Sequence, residues 1–318
     1  MNKSVTPVQP LPAQLLSSVE AVQEAFAREN YIADRPLALT VMLSAMLGKP
    51  ILLEGEAGVG KTEVAKVLTR VLDTELIRLQ CYEGLDVNST IYEWNYAKQI
   101  LAIRMAEQGR EDRDALEQTI FSDEYLIQRP LLRAIRHHGP RPAVLLIDEV
   151  DRADEEFEAF LLEVLSDYQV TVPEIGTFAA THVPSVVLTS NRTRELNDAL
   201  KRRCLYLWID YPTPVKEREI ILRKVPGIQA HLAEQICEVM QTLRSIDFYK
   251  RPGVAETLDW ARALAGLGQD EINAVTLEET AGVVLKYHDD IQRLRSIGGA
   301  KILSGDAGDR REVERAWK

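Results

Sequence analysis

The sequence predicts an α/β fold, in which a parallel sheet lies between helices and a smaller all-helical domain follows. A glycine-rich loop stands between an apolar strand and an amphipathic helix within residues 51–73. The continuous apolar run 143–147 is typical of a strand buried on both faces of a parallel sheet. Past residue 211 strand patterns stop and helical periods take over. We therefore expect an α/β domain over 14–211 and a helical domain over 212–300.

Apolar periodicity places the elements in chain order. Residues 1–13 are expected to form a flexible lead, and residues 301–318 a loose tail. The elements predicted for the α/β domain are helices at 15–26 and 36–47, strand 51–54, helix 62–73, strand 76–81, an insertion at about 82–130, strand 143–147, helix 157–165, a hairpin at about 168–180, and strands 186–189 and 205–209. Helices at 232–243 and 255–264 follow, and a third is predicted to begin at a capping box formed by Thr276 and Glu279.

The glycine-rich loop fits the phosphate-binding pattern G-x-x-x-x-G-K-[ST]. Its glycines let backbone N–H groups close around phosphates at a helix N-terminus. Lys61 supplies an ammonium for the terminal phosphates, and the Thr62 hydroxyl is a ligand for Mg²⁺. A dinucleotide-binding loop is excluded, because Glu63 stands where its third glycine belongs. The predicted nucleotide-binding residues are Gly55, Glu56, Ala57, Gly58, Val59, Gly60, Lys61, Thr62, Glu63 and, from the helical domain, Arg251.

Two acidic residues, Asp148 and Glu149, follow the buried strand. Ligands bind outside the carboxyl ends of strands in open α/β sheets, so both carboxylates are expected there. Asp148 is predicted to hold Mg²⁺ through water, and Glu149 to polarise the attacking water as general base. The alternative is a pair of solvated acids at a helix start, with Asp151 or Asp154 as the cap. The phosphate-binding loop upstream favours the catalytic interpretation.

Three further positions are candidates for the reaction. Asn191 follows strand 186–189, where its amide could orient the attacking water, although Asn is also a common turn residue. Arg202 and Arg203 stand before the next strand, too far along the sheet to reach their own nucleotide. An arginine there could stabilise charge on a neighbouring subunit's γ-phosphate; the alternative is a solvated basic turn.

Taken in order from about residue 35 to 290, these motifs resemble the AAA+ ATPases. The hairpin before strand 186–189 and the insertion 82–130 are similar to those of the MoxR-type branch, and the general likeness is greatest to the CoxD-like ATPases that mature carbon-monoxide dehydrogenase. The resemblance implies the roles of Walker A for Gly55–Thr62, Walker B for Asp148 and Glu149, sensor 1 for Asn191, arginine finger for Arg203 with Arg202 second, and sensor 2 for Arg251. The sequence departs from the family pattern at Arg192, which replaces a proline, and at Cys204, which replaces a phenylalanine.

The resemblance also implies an activity and partners. The chain would hydrolyse ATP with Mg²⁺ as a homo-oligomeric ring of six subunits, and it would remodel a client protein or metalloenzyme with a von Willebrand A-type adaptor. Tyr92, Trp94 and Tyr96 could grip a client, although aromatics at such spacing are more often local packing. The alternative function is a nucleic-acid machine of the loader or restriction-translocase type.

Composition bounds these functions. The 318 residues carry 38 basic and 49 acidic side chains, a net charge of −11 with no polybasic run, which disfavours a nucleic-acid partner. A guanine-specific switch is disfavoured by the lack of an Asn-Lys-x-Asp motif. Cys81, Cys204 and Cys237 have no C-x-x-C spacing, so we expect reduced structural thiols. Neither a signal peptide nor a membrane-spanning apolar stretch is evident, so a cytoplasmic location is expected.

Overall fold

The computed structural model describes residues 17–109 and 119–307, so the predicted lead at 1–13 lies outside the described residues. The chain divides into two compact units. The sheet unit comprises the residues up to Glu29, Ala33–Glu54 and Thr62–Trp208; the helical unit comprises Asn30–Ile32, Gly55–Lys61 and the residues from Ile209 onwards.

A five-stranded sheet forms the centre of the sheet unit, and all of its strand pairs are parallel. The strands of the chain are β1 (Ile51–Glu54), β2 (Leu76–Gln80), β3 (Tyr92–Trp94), β4 (Leu126–Gln128), β5 (Val144–Asp148), β6 (Gln169–Val172), β7 (Gly176–Ala179), β8 (Ser185–Ser190) and β9 (Leu205–Trp208). The order across the sheet is β2-β5-β8-β1-β9, while β3 pairs antiparallel with β4 and β6 with β7. The predicted parallel sheet is confirmed.

Both units of the chain contain helices. In the sheet unit they are α1 (Val19–Arg28), α2 (Arg35–Leu47), α3 (Lys61–Leu72, whose first residue belongs to the helical unit), α4 (Asn88–Ile91), α5 (Tyr96–Gly109), α6 (Pro130–Ile135), α7 (Glu155–Asp167) and α8 (Asp198–Arg203). In the helical unit they are α9 (Pro214–Lys224), α10 (Ala230–Ser245), α11 (Val254–Gly266), α12 (Ala274–Val284), α13 (His288–Ile297) and α14 (Gly299–Leu303). Within residues 17–109 and 119–307, no helix has both the length and the apolar character needed to cross a membrane.

Burial matches the place of β5 as an inner strand of the sheet, between β2 and β8. Every residue of β5 is buried, as the unbroken apolar run predicts for a strand covered on both faces. Its register places Asp148 opposite Gln80 of β2 and Ile147 opposite Leu188 of β8. Because the strands are parallel, the residues that follow β1, β2, β5 and β8 all leave the sheet at the same end, the carboxyl end of the strands.

The insertion between β2 and β5 packs into a hydrophobic cluster that also includes residues of α7 and of the hairpin β6–β7. Trp94 is buried, and its ring meets Phe121 edge to face with the ring centroids 5.3 Å apart. Tyr92 lies beside it, whereas Tyr96 at the start of α5 is 63% exposed. Of the three aromatics considered for client contact, Trp94 is therefore a packing residue and Tyr96 alone stands well clear of the core.

Two local predictions are wrong in the helical unit. Helix α12 begins at Ala274 and not at Thr276, because the side chain of Asn273 caps it by accepting the Thr276 N–H at 2.9 Å. The chain also stays ordered past residue 300: α14 runs through Leu303, and Ile302 is buried. A loose tail therefore does not begin at 301, and residues 308–318 lie outside the described residues.

A buried ion pair ties together three helices of the helical unit. The Arg244 guanidinium on α10 donates to both carboxylate oxygens of Glu217 on α9, at 2.7 Å each. The Thr257 hydroxyl on α11 donates to the same carboxylate at 2.7 Å, and Arg244 Nε donates to the Pro252 carbonyl at 2.9 Å. Both charged side chains are almost fully buried, so every partner is needed to offset the loss of water.

We predict that Arg244→Ala lowers the free energy of unfolding by about 3–5 kcal/mol, because Glu217 is left as a buried, unpaired charge. The double variant Glu217→Leu/Arg244→Met should lose less than Arg244→Ala, because neither charge remains. Urea unfolding followed by circular dichroism measures both. Arg262→Ala, which breaks an exposed pair with Asp259, is the control and should cost under about 1 kcal/mol. Equal losses for Arg244→Ala and the control would contradict the argument.

Candidate functional site

The glycine-rich loop adopts the backbone that its sequence predicts. Gly55, Gly58 and Gly60 all have positive φ angles, of 156°, 81° and 97°, which side chains rarely tolerate. At Gly55 an added Cβ would lie 2.1 Å from the Ile209 carbonyl oxygen, so only glycine fits. The loop therefore exposes backbone without side chains at its glycines, and a close approach to a phosphate requires this.

Lys61 is held inside this loop. Its side-chain nitrogen donates to the carbonyl oxygens of Gly55 at 2.8 Å and Glu56 at 2.7 Å, and the residue is only 6% exposed. An ammonium carries three donor protons, so it can bond to several oxygen atoms at once. The loop thus presents a cation and backbone donors together, a donor set that fits the terminal phosphates of a nucleotide.

The start of helix α11 is bonded to the same loop, within the helical unit. The backbone N–H groups of Val254 and Ala255 donate to the Gly58 carbonyl at 2.9 and 3.3 Å. Gly253, which caps α11, lies so close that a Cβ there would be 2.8 Å from the Gly58 backbone. The loop and the N-terminus of α11 are consequently packed backbone to backbone.

A cleft of about 250 Å³ lies beside the loop in the helical unit. Its lining residues are Glu56, Ala57, Tyr211, Phe248, Tyr249, Lys250 and Arg251. Burial raises the pKa of Tyr211 to about 12, with the Glu56 carboxylate adding to the effect, so its phenol stays neutral at physiological pH. The structure therefore places Arg251, an exposed side chain, in the same cleft as two residues of the phosphate-binding loop.

Asp148 is the focus of the site in the sheet unit. Its Oδ1 accepts from the Thr62 hydroxyl at 3.0 Å and from the Thr189 hydroxyl at 2.6 Å. Its Oδ2 accepts from Arg78 Nε at 3.0 Å and Nη2 at 2.6 Å. Hydroxyl and carboxylate oxygens are the hard ligands that Mg²⁺ takes in phosphate sites. Thr62 and Asp148, distant in sequence, therefore meet as the predicted magnesium ligands would.

Glu149 leaves the sheet with a left-handed backbone, at φ 56° and ψ 51°. Non-glycine residues rarely adopt this conformation, and it is concentrated at functional sites. Its N–H donates to the Thr189 hydroxyl at 2.9 Å. Its Oε1 accepts from the Asn191 side-chain amide at 3.3 Å, and its Oε2 from Gln80 at 3.1 Å. The structure thus brings the predicted base and the predicted amide into contact.

Asp151 has a role that the sequence did not indicate. It is buried and accepts from the backbone N–H of Asn191 at 3.2 Å, from that of Thr193 at 2.8 Å, and from the Thr193 hydroxyl at 2.7 Å. The helix cap is Asp154, whose carboxylate accepts from the Phe157 N–H at 2.9 Å. Asp151 therefore fixes the segment that carries Asn191.

Arg202 and Arg203 end helix α8 and are both exposed. Arg203 Nε donates to the Ser166 hydroxyl at 2.8 Å. Neither arginine hydrogen-bonds to Asp148, Glu149 or Asn191 in the part of the chain that the structure describes. The two guanidinium groups therefore belong to the outer surface of the sheet unit and not to its cluster of carboxylates.

Arg78, Gln80, Thr189 and Asp151 are site residues that sequence reasoning missed. A weak signal was present for the first two, because they alternate with apolar Ile77 and Leu79 along β2. Thr189 is a buried polar residue that follows the apolar residues 186–188 of β8. Which polar side chain meets which carboxylate depends on the register of strands that are far apart in the chain, and no local pattern supplies it.

Parts of this chain are similar to several known proteins. Residues 50–204 match the family model described as AAA domain (dynein-related subfamily). An uncharacterised protein of Staphylococcus haemolyticus is 28% identical over 239 residues, which cover 73% of this chain and 81% of that protein. One of Staphylococcus aureus is 28% identical over 229 residues, covering 70% and 77%. The structure of the Thermotoga maritima RuvB Holliday junction branch migration motor is 18% identical, with 85% and 73% coverage and a TM-score of 0.44.

We predict that Thr189→Val destabilises the protein by about 1–3 kcal/mol, the cost of unsatisfied buried polar groups. Valine has the same shape but loses the hydroxyl that accepts from the Glu149 N–H and donates to Asp148. Thr189→Ser keeps the hydroxyl and should retain most of the stability. Chemical unfolding of both variants checks this. A Thr189→Val protein as stable as Thr189→Ser would show that the hydroxyl does not support the site.

Proposed function

We propose, from the match of residues 50–204 to an AAA domain family, that this chain is an ATP-hydrolysing remodeller of the MoxR type. It would act in the cytoplasm on a partner protein or in the maturation of a metalloenzyme, the metal centre of carbon-monoxide dehydrogenase being one candidate. ATP and Mg²⁺ are the proposed ligands of the site.

The observation that carries the proposal is the convergence of Thr62, Asp148, Glu149 and Asn191. Hydrogen bonds of 3.0 Å and 3.3 Å join them in two pairs, Thr62 with Asp148 and Asn191 with Glu149. A metal-binding pair beside a carboxylate–amide pair is what hydrolysis of a phosphoanhydride needs: one neutralises phosphate charge, and the other orients water. A small-molecule binding module would need no such second pair.

Each residue has a proposed part in the reaction. The loop 55–62 and Glu63 would bind the phosphates, with the Lys61 ammonium on the terminal ones. Thr62 and Asp148 would hold Mg²⁺, which when bound neutralises charge on the β- and γ-phosphates. Glu149 would accept a proton from the attacking water, while the Asn191 amide donates a hydrogen bond that orients it. Arg251 would contact the nucleotide from the cleft beside Glu56 and Ala57.

Two features outside the site support the MoxR assignment. The antiparallel hairpin β6–β7 stands between α7 and β8, where that branch carries its insertion before sensor 1. The segment between β2 and β5 contains helices and the strand pair β3–β4, at the place where that branch has a second insertion. The metalloenzyme client and a von Willebrand A-type adaptor rest on the resemblance alone.

The proposal includes a hexameric ring whose active sites are shared between subunits. The exposed pair Arg202 and Arg203, at the end of α8, would supply positive charge to a neighbour's γ-phosphate. Arg203 is the first choice, and its bond to Ser166 would fix the direction of the guanidinium. The net charge of −11 favours a protein client over a nucleic acid.

We predict opposite defects for Lys61→Ala and Glu149→Gln. Lys61→Ala should abolish ATP binding, because the terminal phosphates lose their cation. Glu149→Gln should bind ATP normally but hydrolyse it at least about 10²-fold more slowly, the scale of lost general-base catalysis. Calorimetry measures binding, and phosphate release measures turnover. Wild-type ATP affinity in Lys61→Ala would remove the nucleotide-site assignment, and wild-type turnover in Glu149→Gln would remove the base.

We predict that Arg203→Ala keeps ATP binding but slows hydrolysis about 10³-fold or more, the scale of arginine fingers. Mixing it with Glu149→Gln subunits should restore some activity, because one type of interface then combines an intact Glu149 with an intact Arg203. Arg202→Ala, measured in parallel, tests the second choice. Mixed rings without any rescue would show that each site is complete within one chain.

A further inference from the structure

The Arg78 side chain hydrogen-bonds to Oδ2 of Asp148, the proposed magnesium ligand. Arg78 lies on β2, two residues before its carboxyl end, and its side chain is 50% exposed. Two of its nitrogens donate to Asp148 Oδ2, at 2.6 and 3.0 Å, while the two hydroxyls of Thr62 and Thr189 take Oδ1. All of the ordinary acceptor positions of this buried carboxylate are thus in use.

This contact is more than a surface ion pair. Exposed pairs contribute little because water competes for both partners. Here one partner, Asp148, is only 2% exposed, and it stands next to Glu149 and near buried Asp151. A buried carboxylate beside other acids needs a counter-charge. The guanidinium supplies it, and an arginine stays protonated at any physiological pH.

We propose that Arg78 is a positioning residue for Asp148. Its guanidinium supplies the positive charge that a divalent cation would otherwise bring to this carboxylate, and it thereby sets the metal concentration that the site requires. The inference rests on the proposed function, since it concerns the same magnesium position. A cation that approaches Thr62 and Asp148 meets the positive charge of Arg78 on the same carboxylate. Metal binding must therefore either displace the guanidinium or bear its repulsion, and both lower the affinity for the metal.

The proposal has a direct consequence for metal binding. With Arg78 in place, Asp148 is satisfied without metal, so metal should bind only when a nucleotide adds its own phosphate oxygens. Removing the guanidinium should leave the carboxylate more receptive to a divalent ion. The nucleotide-binding loop is untouched by this change, because Arg78 makes no hydrogen bond to residues 55–61 among the described contacts.

The test measures the metal and not turnover. Mn²⁺ is titrated into protein with ADP, which cannot be hydrolysed, and bound Mn²⁺ is read from the loss of the free-ion electron paramagnetic resonance signal. Arg78→Gln should lower the half-saturating Mn²⁺ concentration by about tenfold, the effect of removing one nearby charge at a partly exposed site. Arg78→Lys keeps the charge and should stay within about threefold of wild type.

Arg152→Gln is the matched control. Arg152 is an exposed arginine that donates to Glu149 at 3.2 Å, so the variant removes the same charge from the neighbouring carboxylate and leaves Asp148 untouched. Its Mn²⁺ requirement should change less than threefold, a smaller effect because the charge is farther from the ion. An equal shift in Arg152→Gln would mean that only the general field matters, and would overturn the role given to Arg78.

The remaining outcomes are also decisive. An unchanged or higher Mn²⁺ requirement in Arg78→Gln contradicts the inference, because Arg78 would then be neutral or helpful to the metal. Circular dichroism melting verifies that each variant is folded, and Arg78→Met, which keeps the apolar stem, replaces Arg78→Gln if the latter unfolds. Failure of the wild-type protein to bind ADP or Mn²⁺ at all would instead contradict the proposed function.

Discussion

Elements that are far apart in the chain deliver side chains onto one carboxylate, that of Asp148. Strand β2 brings Arg78, strand β8 brings Thr189, and the first turn of α3 brings Thr62. A buried carboxylate without these donors would carry a large desolvation penalty. Because a shift of one residue along a strand turns every side chain to the opposite face, the donors are available in a single register of the sheet. The geometry of the site and the register of the sheet are therefore the same constraint.

The hydrogen bonds continue from Asp148 to Glu149 and Asn191. One hydroxyl, on Thr189, both donates to Asp148 and accepts from the Glu149 N–H, so it joins the proposed metal ligand to the proposed base. The left-handed backbone at Glu149 then turns its carboxylate towards Asn191. The Asp151 carboxylate fixes the segment that carries Asn191, because it accepts hydrogen bonds from the backbone N–H groups of Asn191 and Thr193. These hydrogen bonds fix the two carboxylates and the amide relative to one another.

The sequence was most informative where function and local geometry coincide. The glycines that the backbone of loop 55–62 requires predict this loop. The apolar run of β5 predicts a strand that is buried on both faces. It was uninformative where two local signals compete: both Asn273 and Thr276 can cap a helix, and in the structure the Asn273 side chain is the cap. Only a weak signal marked Arg78 and Gln80, which look like ordinary exposed positions on β2 until the strand pairs with β5. The domain limits, the ring and the client stay predictions.

The contact between Gly58 and Gly253 has a consequence for how this sequence can evolve. The two backbones touch so closely that a methyl group on Gly253 would enter the Gly58 backbone, and one on Gly58 would press on Gly253 and Glu256. A larger residue at one position cannot be compensated by a smaller one at the other, since both already carry only hydrogen. Most contacting pairs reveal themselves in homologous sequences by correlated exchange. This pair would instead appear as two unvarying columns, and a method that searches for covariation would overlook the contact.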